Sequence, residues 1–93
     1  MNEAVFLDQL YNYVATAVVN SGLDYRPVHI PKMILFEHWS KPGASTRIKI
    51  KLKTEARRVG RLDYSTNTYR YFALCEKIIN IINYWQKTGK FKP

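Results

Sequence analysis

Residues 45–54 read STRIKIKLKT, and this stretch decides how the rest of the chain is interpreted. Cationic and aliphatic residues alternate there for four cycles, which is the period-two pattern of a half-buried β-strand. In that register Ile48, Ile50 and Leu52 face the core, because the opposite register would bury the charged side chains. The solvent face of this strand is predicted to carry four cations: Arg47, Lys49, Lys51 and Lys53.

The residues on either side extend the strand into a small antiparallel sheet. A β-rich run, KMILFEHW, covers residues 32–39, and Pro42-Gly43 in the following SKPGAS gives a strong turn signal. The two runs therefore predict an antiparallel hairpin. Residues 55–64 fit two predictions: a third strand with a bulge or turn at Gly60, or a short irregular helix. The strand is favoured.

Helices are predicted at both ends of the chain. Between Asn2 and about Asn20 the apolar residues follow the spacing of a helix, with Asn2 as N-cap and Ser21-Gly22 as the stop. Residues 71–85 show the same spacing, with Gly89 at the C-terminal cap. The connector GLDYRPVHIPK (residues 22–32) carries two prolines four residues apart, so it is predicted to be extended.

The 93 residues therefore predict one α+β domain, residues 1–93, in the order α-β-β-(β)-α. Two helices cover one face of a sheet of two or three strands. The lone cysteine, Cys75, excludes an internal disulfide and is expected to be a small core residue. The N-terminal residues show neither a signal peptide nor a membrane span, so a cytoplasmic protein is expected, in the host cytoplasm if a phage encodes it.

Positive charge is concentrated in one part of the chain. The sequence holds 15 Lys and Arg against 7 Asp and Glu. Cations on every second residue of a strand repeat at about 6.6 to 7 Å, so successive side chains can meet successive phosphates of one nucleic-acid strand. Seven residues are the predicted nucleic-acid site: Arg47, Lys49, Lys51, Lys53, Arg57, Arg58 and Arg61. Lysines can also simply protect an exposed sheet edge, but three further arginines exceed that need.

Aromatic residues supply two further candidate contacts. Tyr64, Tyr69 and Tyr71 are near the basic segment and are candidates for stacking on bases, although some of these rings are expected to close the core instead. A wide apolar stripe on the first helix predicts either deep burial or a second partner, which makes a homodimer through that helix an option. The candidates for protein contact are Trp39, Phe6 and Tyr13.

Catalytic signatures are missing from the sequence. His29 and His38 are nine residues apart, and no zinc-protease motif, phosphate loop or second cysteine accompanies them. We therefore expect no metal, no cofactor and no enzymatic activity. The enzyme alternative is a small basic toxin that cleaves RNA with Arg, Lys and Tyr side chains, here Tyr69, Arg70 and Tyr71.

The predicted element order resembles that of the double-stranded-RNA-binding domain. That family places a lysine cluster at the start of its last helix and a Gly-Pro-His-like loop between its first strands. Here the corresponding segments are STNTYRYFALCEK, with Arg70 as its early cation, and SKPGAS, which lacks histidine. The resemblance is therefore one of topology, and the contacts of that family are not carried over.

In size, skewed charge and absence of catalytic signatures, the whole chain resembles the anti-CRISPR proteins that phages encode against RNA-guided surveillance complexes. The resemblance implies a stoichiometric inhibitor that docks among Cas subunits, with its basic residues near guide RNA or at the entry of target DNA. The net charge of +8 excludes a DNA mimic. A DNA- or RNA-binding accessory or regulatory protein is the alternative, and the sequence does not distinguish RNA from DNA.

Overall fold

The protein is helical wherever its structure is described. The structure, a computed structural model, describes residues 1–20, 26–59 and 66–93, and the side chains of 1–20, 30–58 and 70–93. In those ranges all regular secondary structure is helical: α1 (Glu3–Asn20), α2 (Arg26–His38), α3 (Ala44–Val59) and α4 (Thr66–Thr88). The predicted α+β fold is therefore wrong. The topological resemblance to the double-stranded-RNA-binding domain, which needs a sheet, is lost with it.

The alternating segment belongs to helix α3, not to a strand. Ile48 and Leu52 are buried as predicted, but Ile50 between them is 57% exposed. Residues four apart fall on one face of a strand and on one face of a helix, so Ile48 and Leu52 fit both structures. The exposure of Ile50 and the burial of Ser45 exclude a strand, because a strand would bury every even-numbered residue of the segment and expose the odd-numbered ones. Lys, Arg, Leu, Glu and Ala are also good helix formers.

Helix α2 replaces both the predicted extended connector and the predicted first strand. Pro27 lies in the first turn, where a missing backbone N–H has no consequence. Pro31 lies in the second turn and removes one helical hydrogen bond, which usually destabilises a helix. Its ring is buried, however, on the same face as Leu35 and His38. Burial of this face against the other helices offsets the lost hydrogen bond.

The predicted turn at Pro42-Gly43 is present, but it joins two helices. Residues 39–43 form turns and a bend between α2 and α3. Gly43 has a φ of 67°, a left-handed conformation that favours glycine. Its carbonyl then accepts a hydrogen bond from the Arg47 backbone N–H at 3.2 Å, which starts α3. The signal was therefore correct for the turn and uninformative about the elements it connects.

The two terminal helices confirm the sequence prediction. Asn2 caps α1, because its side-chain Oδ1 accepts a hydrogen bond from the Val5 backbone N–H at 2.9 Å. At the end of α4, Gly89 has a φ of 75° and donates its backbone N–H to the Trp85 carbonyl at 2.7 Å. The predicted stop at Ser21-Gly22 lies outside the described residues. Of the predicted third strand, residues 55–59 belong to α3, and residues 60–64 are not described.

The core is formed by one face of each helix, and α4 contributes most to it. Helices α3 and α4 make the most extensive contact between any two elements in the described ranges. Cys75 is fully buried on α4, as predicted. An aromatic group closes the end of the bundle, where Phe6 stacks on Trp85 at 4.5 Å between ring centroids and Phe91 packs against Phe6. Besides Pro31, sixteen apolar residues with described side chains are buried: Phe6, Leu7, Leu10, Val14, Val18, Leu35, Ala44, Ile48, Leu52, Ala56, Tyr71, Cys75, Ile78, Ile79, Ile81 and Ile82.

The helical register of α3 predicts opposite outcomes for two lysine substitutions. Ile50→Lys should change the free energy of unfolding by less than about 0.5 kcal/mol, because this side chain already meets solvent. Leu52→Lys should lower it by at least about 3 kcal/mol, because a charge would enter the core. Urea denaturation followed by circular dichroism measures both values. Equal losses of unfolding free energy in the two variants would indicate the strand register instead.

Candidate nucleic-acid interface

Helix α3 carries six of the seven cations predicted to contact nucleic acid. None of them points into the core: five are exposed and Lys49 is half-buried. The seventh, Arg61, lies outside the described residues. The cations on α3 share the helix with one carboxylate, Glu55. The structure thus keeps the charge together, although on a helix and not on a strand.

The cations lie on both sides of an exposed ridge that has no charge over its first two turns. Successive helical residues turn by about 100° around the axis, so spacing defines each position. The ridge is opposite the buried row and consists of Thr46, Ile50 and Thr54, with Arg57 at its C-terminal end. Five cations border it: Lys49 and Lys53 on one side, and Arg47, Lys51 and Arg58 on the other.

Lys49 takes part in helix packing. Its Nζ donates hydrogen bonds to Asn83 Oδ1 at 3.1 Å and to Gln86 Oε1 at 2.7 Å, both on α4. The Gln86 amide in turn donates to Thr46 Oγ1 at 3.3 Å. These contacts tie the first half of α3 to the second half of α4. Lys49 therefore contributes charge to the face while its ammonium group is held by α4.

Arg58 is also held, by a carboxylate of its own helix. Its Nε and Nη2 donate to Glu55 Oε2 at 3.0 and 2.8 Å. Four cations of α3 differ from Lys49 and Arg58, because their side chains make no hydrogen bond or ion pair with any described residue: Arg47, Lys51, Lys53 and Arg57. Lys53 and Arg57 also line a cleft of about 250 Å³ between α3 and α4, which Phe72 and Glu76 complete.

Glu55 is the centre of a network that fixes the C-terminal half of α3 on α4. Tyr71 donates its hydroxyl to Glu55 Oε2 at 2.8 Å, so this oxygen accepts bonds from both helices. Burial alone raises the pKa of Glu55. The hydrogen bonds from Arg58 and Tyr71 and the charges of Arg58 and Lys51 outweigh that effect and hold the pKa below its usual value of 4.5. The carboxylate is thus favoured in its charged form.

Tyr71 and Cys75, on the buried side of this network, both have raised pKa values. Burial, followed by the hydrogen bond to Glu55, raises the pKa of Tyr71 well above its ordinary value. Burial raises the pKa of the Cys75 thiol to about 12. Neither group ionises near neutral pH, so neither is a nucleophile there.

Of the three aromatic candidates, the structure describes the side chain of Tyr71. Tyr71 is 1% exposed, so its ring offers no surface to a base, and the predicted stacking role is corrected for this residue. Tyr64 and the side chain of Tyr69 lie outside the described residues.

The proposed protein contacts also need correction at one position. Phe6 is fully buried in the terminal aromatic group and is not available to a partner. Trp39 is half-buried and stacks on Tyr11 at 5.5 Å, and Tyr13 is half-buried beneath the Lys77 ammonium at 5.7 Å. A homodimer through the first helix stays a prediction.

The ridge residues Thr46, Ile50 and Thr54 were missed by the sequence analysis. The strand register placed Ile50 in the core, and the two threonines were then unremarkable. The signal that could have found them is the length of the row Ala44, Ile48, Leu52 and Ala56, because 13 residues are typical of a helix and long for a strand. In a helical projection, Thr46, Ile50 and Thr54 lie opposite that row.

The other polar groups with described side chains form no second candidate site. His38 is buried, and neither of its ring nitrogens has a hydrogen-bond partner among the described residues; Nε2 is 3.8 Å from Glu37 Oε1. In the described part of the chain, His, Cys, Asp and Glu side chains form no group of three that could hold a metal ion. None of the four described helices combines the length and apolar character required to cross a bilayer.

No known protein family, curated protein or solved structure matches this chain. The face of α3 is therefore interpreted from its own residues. The resemblance to anti-CRISPR proteins stays a prediction.

The Glu55 network predicts a pH-dependent contribution to stability. Because the folded-state pKa lies below 4.5, the carboxylate stabilises the fold above that pH, and the contribution disappears as the pH falls through the folded-state pKa. Glu55→Gln should lower the free energy of unfolding by about 1 to 2 kcal/mol at pH 7. The difference from the unmodified protein should shrink as the pH is lowered from 5 to 3.

Urea denaturation across this pH range measures the effect. Glu76→Gln is the matched control, because the exposed Glu76 carboxylate makes no hydrogen bond or ion pair with a described residue. It should change stability by less than about 0.5 kcal/mol at pH 7. A Glu55→Gln difference that stays constant down to pH 3 would contradict the assignment.

Proposed function

We propose that this protein binds the backbone of a nucleic acid through the exposed face of α3 and catalyses no reaction. The observation that carries the proposal is the presence of four exposed cations on one helix whose side chains make no hydrogen bond or ion pair with a described residue. These four are named the free cations below: Arg47, Lys51, Lys53 and Arg57.

Like charges crowded on one helix repel each other, and an anionic ligand removes that repulsion. Lys51 is four residues from Arg47, and Arg57 is four residues from Lys53, which are the spacings at which helical side chains meet. Like-charge pairs at this spacing destabilise a helix by about 0.2 to 0.5 kcal/mol. A helix face that only meets solvent gains nothing from placing like charges this close together. Phosphates between the pairs convert the unfavourable arrangement into a binding surface.

The distribution of charge over the molecule supports the same conclusion. The first 24 residues contain no Lys or Arg, so the N-terminal helix is neutral to acidic. Elsewhere, Lys77 and Lys92 lie over the rings of Tyr13 and Tyr84 at 5.7 Å, where they cover aromatic surface. The free cations of α3 make no comparable contact within the described residues, which leaves them available to a ligand.

The absence of catalysis is part of the proposal. The RNA-cleaving alternative relied on Tyr69, Arg70 and Tyr71. Of these, Tyr71 is buried and its hydroxyl is bonded to Glu55. A general base or nucleophile has to reach the substrate, and this hydroxyl does not.

The narrower prediction from the sequence is a stoichiometric inhibitor of an RNA-guided complex that blocks target DNA binding, located in the host cytoplasm. It differs from an accessory nucleic-acid-binding protein in a measurable way. An accessory protein binds free nucleic acid with full affinity. An inhibitor of the complex binds the assembled ribonucleoprotein far more tightly than free guide RNA or target DNA.

Removing the free cations should abolish most nucleic-acid affinity. With about 4 to 6 phosphates neutralised, the logarithm of the binding constant should fall with the logarithm of salt concentration with a slope of roughly −3 to −5. Replacement of all four free cations by glutamine should make this slope less steep by about 3. Fluorescence anisotropy with a labelled duplex at several salt concentrations measures both values.

The matched control removes the same charge elsewhere. Four lysines outside α3 are replaced by glutamine: Lys32, Lys77, Lys90 and Lys92. Both variants then have the same net charge, but the control should keep the slope within about 1 of the unmodified protein. Equal losses in the two variants would show that only net charge matters and would contradict the assignment to α3.

A further inference from the structure

We propose that α3 lies in the major groove of duplex DNA and directs its ridge (Thr46, Ile50, Thr54 and Arg57) at the base edges. This inference rests on the proposed function, because it specifies which nucleic acid the face of α3 binds and how. The sequence analysis left RNA and DNA open. The arrangement of the cations around the ridge is what separates them.

The dimensions of α3 fit the groove. A helix with its side chains is about 10 to 12 Å wide, and the major groove of B-DNA is about 12 Å wide. The 16 residues of α3 extend over about 24 Å, which is shorter than one turn of the duplex. The whole exposed face can therefore enter the groove without leaving its path.

The positions of the cations match the two walls of the groove. Lys53 lies on one side of the ridge, and Arg47 and Lys51 lie on the other. In a groove, each side of the helix faces the phosphates of a different DNA strand. A helix that only lay across a single strand would have its cations gathered along one line. Cations on both sides of a ridge that is uncharged from Thr46 to Thr54 favour insertion between two strands of phosphate.

The ridge has the chemistry of base-edge recognition. Ile50 is 57% exposed in the middle of a cationic face, where an apolar side chain gains nothing from a phosphate. In the major groove it can contact the thymine methyl group. Thr54 uses its hydroxyl to donate to the Ile50 carbonyl at 3.1 Å, so its methyl group remains for a similar contact. Arg57 can form paired hydrogen bonds with guanine.

The position of α3 in the chain is also that of a recognition helix. Helix α2, the turn at residues 39–43 and α3 follow one another, with Gly43 in the turn. Helix-turn-helix proteins present the second helix of such a pair to the major groove, and their turn often contains glycine. The hydrogen bonds from Lys49 to α4 hold α3 at one side of the ridge, and the ridge residues themselves are exposed.

Duplex RNA does not fit this arrangement. The major groove of A-form RNA is deep and narrow, and side chains do not reach its base edges. Its shallow minor groove offers no pair of phosphate walls at the width of a helix. A comparison between DNA and RNA duplexes of one sequence therefore tests the inference directly.

The first experiment tests whether the protein binds in the major groove of DNA. The probes are a 24-base-pair DNA duplex, the RNA duplex of the same sequence, and a DNA duplex whose cytosines carry glucosylated hydroxymethyl groups that fill the major groove. The unmodified duplex should be bound at least about tenfold more tightly than the other two. Addition of distamycin, which occupies the minor groove, should change the affinity less than about twofold.

The second experiment tests the ridge. Replacing every thymine of the DNA probe by uracil removes the methyl groups, and this should weaken binding by the unmodified protein about threefold or more. Ile50→Ala should respond clearly less to the same replacement, because only the Thr54 methyl group and a shorter side chain at position 50 remain to contact thymine. Val19→Ala is the matched control, since Val19 is an exposed aliphatic residue of α1, and it should retain the full sensitivity.

The results separate failure of the inference from failure of the proposed function. Equal affinity for the DNA and RNA duplexes, no effect of the glucosyl groups, or an Ile50→Ala variant that keeps its full thymine sensitivity would overturn the major-groove assignment while binding persists. Absence of binding to every probe and to an assembled ribonucleoprotein would overturn the proposed function itself.

Discussion

The structure depends on the contact between the buried row of α3 and the core, where α3 and α4 pack most extensively. Ala44, Ile48, Leu52 and Ala56 are spaced by four residues and are buried together. Once this row faces inward, the helical repeat turns every cation of the segment outward. The same contact exposes Ile50. The core, the charged face and the ridge are therefore consequences of one packing arrangement.

The sequence predicted those helices whose signals are unambiguous. At α1 and α4 the apolar spacing agrees with a capping residue, Asn2 or Gly89, and no strand pattern competes. At α3 the alternation of cations and aliphatic residues is compatible with both periods, and the exposure of Ile50, which decides between them, depends on tertiary packing. At α2, Pro31 argued against a helix, but burial of its ring compensates for the lost hydrogen bond.

The sequence predicted which cations form the candidate site, but it did not predict how they are arranged. The identity of the cations is a property of the sequence, and six of the seven lie on one helix. Which of them are held depends on neighbours in space, both on α3 itself and on the distant helix α4. Lys49 is held by Asn83 and Gln86, and Arg58 is held in a network that includes Tyr71. A strand would present the cations in a single line for one row of phosphates. The helix distributes them over two sides and creates the ridge.

The helical state of residues 44–59 is the claim on which the account rests, and backbone NMR measures it most directly. The account predicts positive Cα secondary chemical shifts throughout this segment, with sequential amide-to-amide contacts and contacts between residues three apart. Amide exchange should be slowest on the buried side, around Leu52. Negative Cα shifts in residues 46–53, together with contacts across strands to residues 32–39, would contradict it.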